Sequence, residues 1–162
     1  MPVVLTRIDD RLIHGQITVS WSKVSNPDII AVVDDLVASD EIQRSALELA
    51  APIGTKLVVL GISEGIKQLS PPSANSNKKV FIIVPTPEDI LRLVEGGVKV
   101  KSINVGQMGF KQGKKQISKT VSVDEKDIDA FRKLRSMGIQ LEQRQLPGDK
   151  KVDLEKLLPS IA

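Results

Sequence analysis

The stretch T-R-I-D-D-R-L-I-H-G-Q, Thr6 to Gln16, follows the apolar run Val3-Val4-Leu5 and leads into a predicted helix starting near Gly15. It reads as a strand-to-helix junction and holds the chain's only histidine, His14. Arg7, Asp9, Asp10 and Arg11 precede that histidine, and Gly15 follows it. In an α/β protein this is where a nucleophilic or phosphate-handling residue is expected. The amides that open a helix lack intrahelical partners and present a positive dipole end to a bound anion.

Outward from this junction, apolar runs of strand length alternate with amphipathic segments. Strands are predicted at Val3–Thr6, Ile29–Val33, Leu57–Leu60, Val80–Val84 and Ser102–Val105, the second closed by Asp34-Asp35. Helices are predicted at Gly15–Val24, after Ser39 or Asp40 with Ile42, Ala46 and Leu49 on one face, at Ser63–Leu69, and from Thr86-Pro87 to Gly96. Ser70 to Asn77 is a loop by composition, and Gly106-Gln107-Met108-Gly109 is read as another. Further on come a short strand over Ile117–Val123, a helix over Lys126–Met137 stopped by Gly138, an edge strand over Ile139–Leu146 and a terminal helix over Val152–Leu158. The expected fold is one α/β domain spanning 1–162. Its sheet is mostly parallel and twisted, with about six or seven strands and helices on both faces. Ligands of such sheets bind beyond the carboxyl ends of the strands. That edge collects His14, Asp34, Asp35, Gly106, Gln107 and Met108.

Composition narrows the chemistry. With 162 residues, 41% hydrophobic and 27% charged, the chain can bury its own core. There is no cysteine, which removes disulfides, thiolate catalysis and cysteine-ligated zinc. Only 2% of residues are aromatic, which argues against base-stacking platforms and a nucleic-acid partner. No apolar run approaches the ~20 residues of a membrane span, and the N-terminus has no signal-peptide pattern. A cytoplasmic protein is expected. Charge is uneven: residues 1–77 carry six Lys+Arg against nine Asp+Glu, and residues 78–162 carry seventeen against eleven. Between Lys99 and Val123 there are six lysines and no acid.

A neutral imidazole is a competent nucleophile near neutral pH, and neither a cysteine nor a G-x-S-x-G elbow competes with His14. One histidine among scattered aspartates gives no metal-ligand spacing, so neither metal nor cofactor is expected. Phosphoryl transfer suits the residues best. Arg11 offers a planar fork of donors and Arg7 a second, while the Gly15 and Gln16 amides face the same anion. Transfer of this kind relies on positioning and electrostatics, which arginines supply. Asp9 or Asp10 is a candidate to orient the imidazole, or else to pair with an arginine.

R-I-D-D-R-L-I-H-G-Q followed by Trp21 resembles the active-site segment of the IIB subunits of the mannose/fructose/sorbose class of the bacterial sugar phosphotransferase system. The similarity continues through Asp34-Asp35, N-V-G-Q-M at Asn104–Met108, K-K-Q-I-S-K-T-V-S-V at Lys114–Val123 and D-I-D-A-F at Asp127–Phe131. The resemblance implies a phosphohistidine carrier, a protein-N(pi)-phosphohistidine–sugar phosphotransferase (EC 2.7.1.-). His14 would accept a phosphoryl group through Nδ1 from a IIA domain, expected as a separate chain. It would then pass the group to a sugar carried by the IIC and IID membrane subunits, which would recruit the chain to the inner face of the plasma membrane. Arg11 corresponds to the phosphate-binding arginine, and Gln107 stands where a second glycine is common. Mannose, fructose, sorbose and N-acetylgalactosamine all stay open as the sugar.

Two other readings compete from the residues alone. A receiver-like domain would use Asp9-Asp10 or Asp34-Asp35 to bind magnesium and accept phosphate, although such acids more commonly cap helices. A non-catalytic adaptor would use the lysine-rich stretch. Within the carrier reading, Lys111, Lys114 and Lys115 are expected to dock an acidic, phosphorylated IIA partner, and Trp21 is expected to pack its helix.

Overall fold

The structure, a computed structural model, describes residues 2–71 and 77–159. Every side chain of Val80–Val84 is buried, a pattern that belongs to a strand covered on both faces. The other strands arrange themselves around it. In chain order the elements are β1 (Val3–Asp9), α1 (Gly15–Ser25), β2 (Ile29–Val33), α2 (Asp35–Ala38), α3 (Glu41–Ala50), β3 (Lys56–Leu60), α4 (Ile62–Leu69), β4 (Val80–Val84) and α5 (Pro87–Glu95). They continue with β5 (Ser102–Gln107), β6 (Lys115–Gln116), β7 (Ser122–Val123), α6 (Glu125–Ser136), β8 (Gln140–Gln143), β9 (Val152–Asp153) and a 3-10 turn at Leu154–Lys156.

The sheet runs β3-β2-β4-β1-β5-β8-β9. Neighbouring strands are parallel throughout except β9, which runs antiparallel to β8. Alternation along the strands divides the core in two. Ala31, Val33, Ile82, Val84, Ile103 and Val105 meet α4, α5 and α6 on one face. Ile30, Val32, Phe81 and Ile83 meet α1, Val37 of α2 and Leu47 of α3 on the other. No helix among the described residues is long and apolar enough to cross a membrane.

The expected α/β architecture is the observed one, with local corrections. The predicted strand over Ile117–Val123 is instead a hairpin of β6 and β7, because Ile117 donates back to Val121 and turns the chain. The predicted terminal helix over Val152–Leu158 is replaced by β9 and the 3-10 turn. Here Glu142 and Gln143 of β8 pair with Asp153 and Val152, and Leu154 is fully buried. β8 spans Gln140–Gln143 and is not the edge, which β9 occupies. β5 does not stop at Val105 but runs through Gly106 to Gln107. Most of the predicted Ser70–Asn77 loop lies outside the described residues.

Candidate functional site at the carboxyl edge of β1

β1 is the second central strand, flanked by β4 and β5, so its carboxyl end opens at the middle of the sheet edge. The loop that follows is anchored from within. Leu12 and Ile13 are buried in the core on the α1 face, and Leu12 takes a left-handed backbone with φ 62°. A leucine rarely adopts that region, at a cost of about 1–2 kcal/mol, so the surrounding packing must hold it there. Gly15, at φ 45°, completes the reversal without such a cost.

His14 lands between these anchors, exposed, as the residue that caps α1. Its amide donates to Thr18 Oγ1 at 2.7 Å, and its carbonyl accepts from the Ile17 and Thr18 amides. The backbone is thereby fixed on both sides. The imidazole makes no hydrogen bond with any described residue. The amides of Gly15 and Gln16 precede the first intrahelical bond and lie beside it, which is the anion-favouring end of an eleven-residue helix.

Asp9 organises the arginines. It is only 1% exposed. Its Oδ1 accepts from the Arg11 amide at 3.0 Å and from Nε at 3.1 Å, and its Oδ2 accepts from Arg11 Nη2 at 3.0 Å and Arg7 Nη2 at 3.1 Å. The fork on Arg11 is bidentate and fixes the plane of its guanidinium. Arg11 stays 26% exposed, and its Nη1 has no partner among the described residues. Arg11 is therefore both aimed and available.

Arg7 is not available in that way. Its side chain is buried, donating to Asn104 Oδ1, to the Arg144 carbonyl at 3.1 Å and to Asp9. Burial pulls its pKa below the ordinary arginine value, with Asp9 acting in the opposite direction. A second phosphate fork is thus replaced by a buttress behind Asp9. The guanidiniums of Arg7 and Arg144 both stand over the indole of Trp21, 5.2 and 5.0 Å from its centroid, and the indole donates through Nε1 to the Gln145 carbonyl. Arg144 in turn forks onto Glu142.

The remaining expected residues divide by position. Neither Asp9 nor Asp10 contacts the imidazole; Asp10 accepts from the Gly109 amide at 2.7 Å and ties the loop after β5 to the His14 loop. Gly106 is a buried strand residue, and a Cβ there would stand 2.0 Å from Arg7 Nη2. The bare backbone leaves the space that guanidinium fills. Gln107 is half-buried and its carbonyl accepts the Asp10 amide, while Met108 is in the core. Asp34 caps α2 by accepting from Val37, and Asp35 accepts from the Ile62 amide and pairs with Arg92. Lys111 and Lys115 are exposed, but Lys114 is largely buried against Asp127 at 2.9 Å. Glu142, Arg144 and Thr18 complete the site without having been singled out in the sequence, as does Asn104, quoted there only as part of the N-V-G-Q-M motif and given no role. The available signal was Asn104, a polar residue inside an apolar strand.

Fold and loop together define a parallel α/β domain with an exposed histidine and an aimed arginine at its carboxyl edge. Residues 3–161 match the family model described as PTS system sorbose subfamily IIB component. The sorbose-specific EIIB component of Lacticaseibacillus casei is 42% identical over 154 residues, covering 95% of this chain and 93% of that protein. The mannose-specific EIIAB component of Escherichia coli is 44% identical over 161 residues, which are 99% of this chain and 50% of that protein. The chain therefore spans about half the length of that relative. The crystal structure of the IIBSor domain of the sorbose permease from Klebsiella pneumoniae superposes with a TM-score of 0.93 at 40% identity, covering 96% of this chain and 95% of that one. This chain belongs to the sorbose-subfamily IIB components of the sugar phosphotransferase system.

Proposed function

We propose that the chain is a phosphohistidine relay: His14 accepts a phosphoryl group from the phosphohistidine of a IIA domain and passes it to a sugar hydroxyl at IIC and IID membrane subunits. The observation that carries this reading is the contrast within one loop. Arg7, Asp9, Asp10 and Arg11 are all tied to protein partners, while the imidazole of His14 is exposed and has no hydrogen-bond partner among the described residues. An Nδ1 lone pair attacks phosphorus as the donor's P–N bond breaks. In the second step a sugar hydroxyl oxygen attacks phosphorus, the P–N bond breaks with its electron pair returning to Nδ1 of His14, and the hydroxyl's proton is taken up by the released imidazole or by solvent. The exposed face of Arg11 and the Gly15 and Gln16 amides hold the phosphoryl oxygens in both steps. Asp9 sets the arginine and Arg7 backs Asp9. Cytoplasmic residence, with recruitment to the membrane by those subunits, follows from the same reading.

The test is transfer of a labelled phosphoryl group from a phosphorylated IIA. The label should be acid-labile and base-stable, map to His14 and vanish in His14→Ala. A base-labile label that persists in His14→Ala sinks the proposal.

A further inference from the structure

Apolar side chains at i, i+4 and i+7 of a helix ordinarily face a core. In α3 the face made by Ile42, Ala46 and Leu49 does not. Ile42 is 84% exposed and Leu49 90%, with only Leu47 buried. Leu36 of α2, 80% exposed, and the fully exposed Ile53 lie in the segments just before and just after α3. Four large aliphatic side chains within one stretch of chain exceed the scattered single exposures normal for a surface.

Position and charge say what covers it. The inner sides of the same two helices, Val37 and Leu47, share a core cluster with Leu12 and Ile13, the residues just before His14. β1 and β2 flank β4, so their carboxyl ends are only about 10 Å apart at ~4.8 Å per strand. A body seated on α2 and α3 therefore reaches the histidine. The rim is acidic: from Asp34 to Ile53 there are five Asp+Glu and one arginine, and Arg44 donates to the Ala38 carbonyl. On the far side of His14, beyond β5, the chain is basic, with Lys111, Lys114, Lys115 and Lys119 and no acid before Asp124. A two-fold pairing of two copies through this patch would set Glu41 and Glu48 against their own equivalents or close to them, so the rim opposes a self-complementary interface.

Resting on the relay reading above, we infer that the α2–α3 face docks the cytoplasmic side of the membrane-embedded partner, whose loops are rich in Lys and Arg by the positive-inside rule. The acidic rim steers that surface and the aliphatic patch seats on it. The basic flank across His14 is left to the phosphoryl donor. The two exchanges use opposite sides of one histidine.

The test uses the full chain, a phosphorylated IIA, and inverted vesicles containing the IIC and IID subunits of the same transporter. Two double variants are compared with the native chain: Ile42→Gln with Leu49→Gln, and Glu41→Lys with Glu48→Lys. All four side chains are exposed, so thermal unfolding should be unchanged. The concentration of the chain giving half-maximal sugar phosphorylation should rise at least about ten-fold, while loading of His14 from IIA changes less than about two-fold. The inference is overturned if half-saturation is unchanged in both variants, or if loading slows as much as sugar phosphorylation. It is equally overturned if the native chain sediments as an oligomer that the variants dissociate. A native chain that takes no label on His14 instead defeats the relay reading itself, before any vesicle is added.

Discussion

Asp9 carries more of the site than its single charge suggests, because it holds one arginine at the surface and one in the interior. Replacing it by asparagine leaves the buried Arg7 uncompensated, and loss of one partner from a buried pair costs about 3–5 kcal/mol. Asp9→Asn should therefore unfold at clearly lower denaturant and load His14 more slowly, since Arg11 loses its fork. Arg11→Lys separates the two effects. It keeps a cation but not the planar fork, so loading should fall about ten-fold or more with little change in unfolding; full-rate loading by that variant would remove Arg11 from the phosphate site. Gly106→Ala should destabilise by more than about 2 kcal/mol, because the added methyl meets the Arg7 guanidinium inside a central strand, and an unaltered midpoint would contradict that geometry. That His14 and Arg11 would share the edge after β1 was legible in the sequence because they lie three residues apart at a strand end. The buttress was not, because Arg7 meets Asn104 and Arg144 at separations of 97 and 137 residues. Only the strand order brings β1, β5 and the end of β8 together.

Among the elements, α5 contains a titrating group that its helix signals alone do not reveal. Thr86 and Pro87 begin α5 as the sequence suggests, but Asp89 in its first turn is buried. Burial, with the Asp34 carboxylate facing it, pushes its pKa up to about 8 from 3.8. Among the described residues its Oδ2 meets no donor, so no hydrogen bond there offsets the cost of burying the charged form and the neutral carboxyl is favoured. The folded state then holds a proton that the unfolded chain gives up near pH 4. Stability must fall as pH rises between those two values and level off above about 8. Asp89→Asn removes the titration. It should match the native chain near pH 4 and exceed it by about 1 kcal/mol or more at pH 9, as denaturant midpoints at the two pH values would report; equal slopes would mean that Asp89 is ionised in the fold. Elements with a full local pattern were legible in this way: the apolar runs of β2 and β4, the caps of α3 and α5, and the glycine stop of α6. Those set by long-range pairing were not. β9 forms only because β8 is there to receive it, and α2 is a single turn held by the Asp34 cap. The exposed face of α3 was misleading for the opposite reason: its periodicity is that of a buried helix, and no element among the described residues covers it.

Across the whole molecule, the lysines that look like one basic stretch belong to opposite edges. Lys99 and Lys101 precede β5 and lie at its amino end, with Pro2 and Pro71. Lys111, Lys114, Lys115 and Lys119 follow it, on the edge where Asp10 and Gly109 join the His14 loop. Among these, Lys114 belongs to the fold through Asp127, whose carboxylate also accepts the Asp124 amide in the capping box of α6. Phe110, 70% exposed, stands beside Lys111 and gives this flank an apolar centre of its own. Long-range attraction for an acidic donor acts through exposed charges and fades over about 8–10 Å at ordinary salt. Lys111→Glu with Lys115→Glu should therefore slow loading of His14 several-fold at low salt, with the difference shrinking as salt is added. Lys99→Glu with Lys101→Glu applies the same change in net charge at the far edge and should leave loading nearly unaltered. Lys114→Glu should instead lower the unfolding midpoint, since it sets a carboxylate against Asp127. Equal slowing by the two exposed pairs would mean that net charge alone, rather than the flank beside His14, governs the encounter.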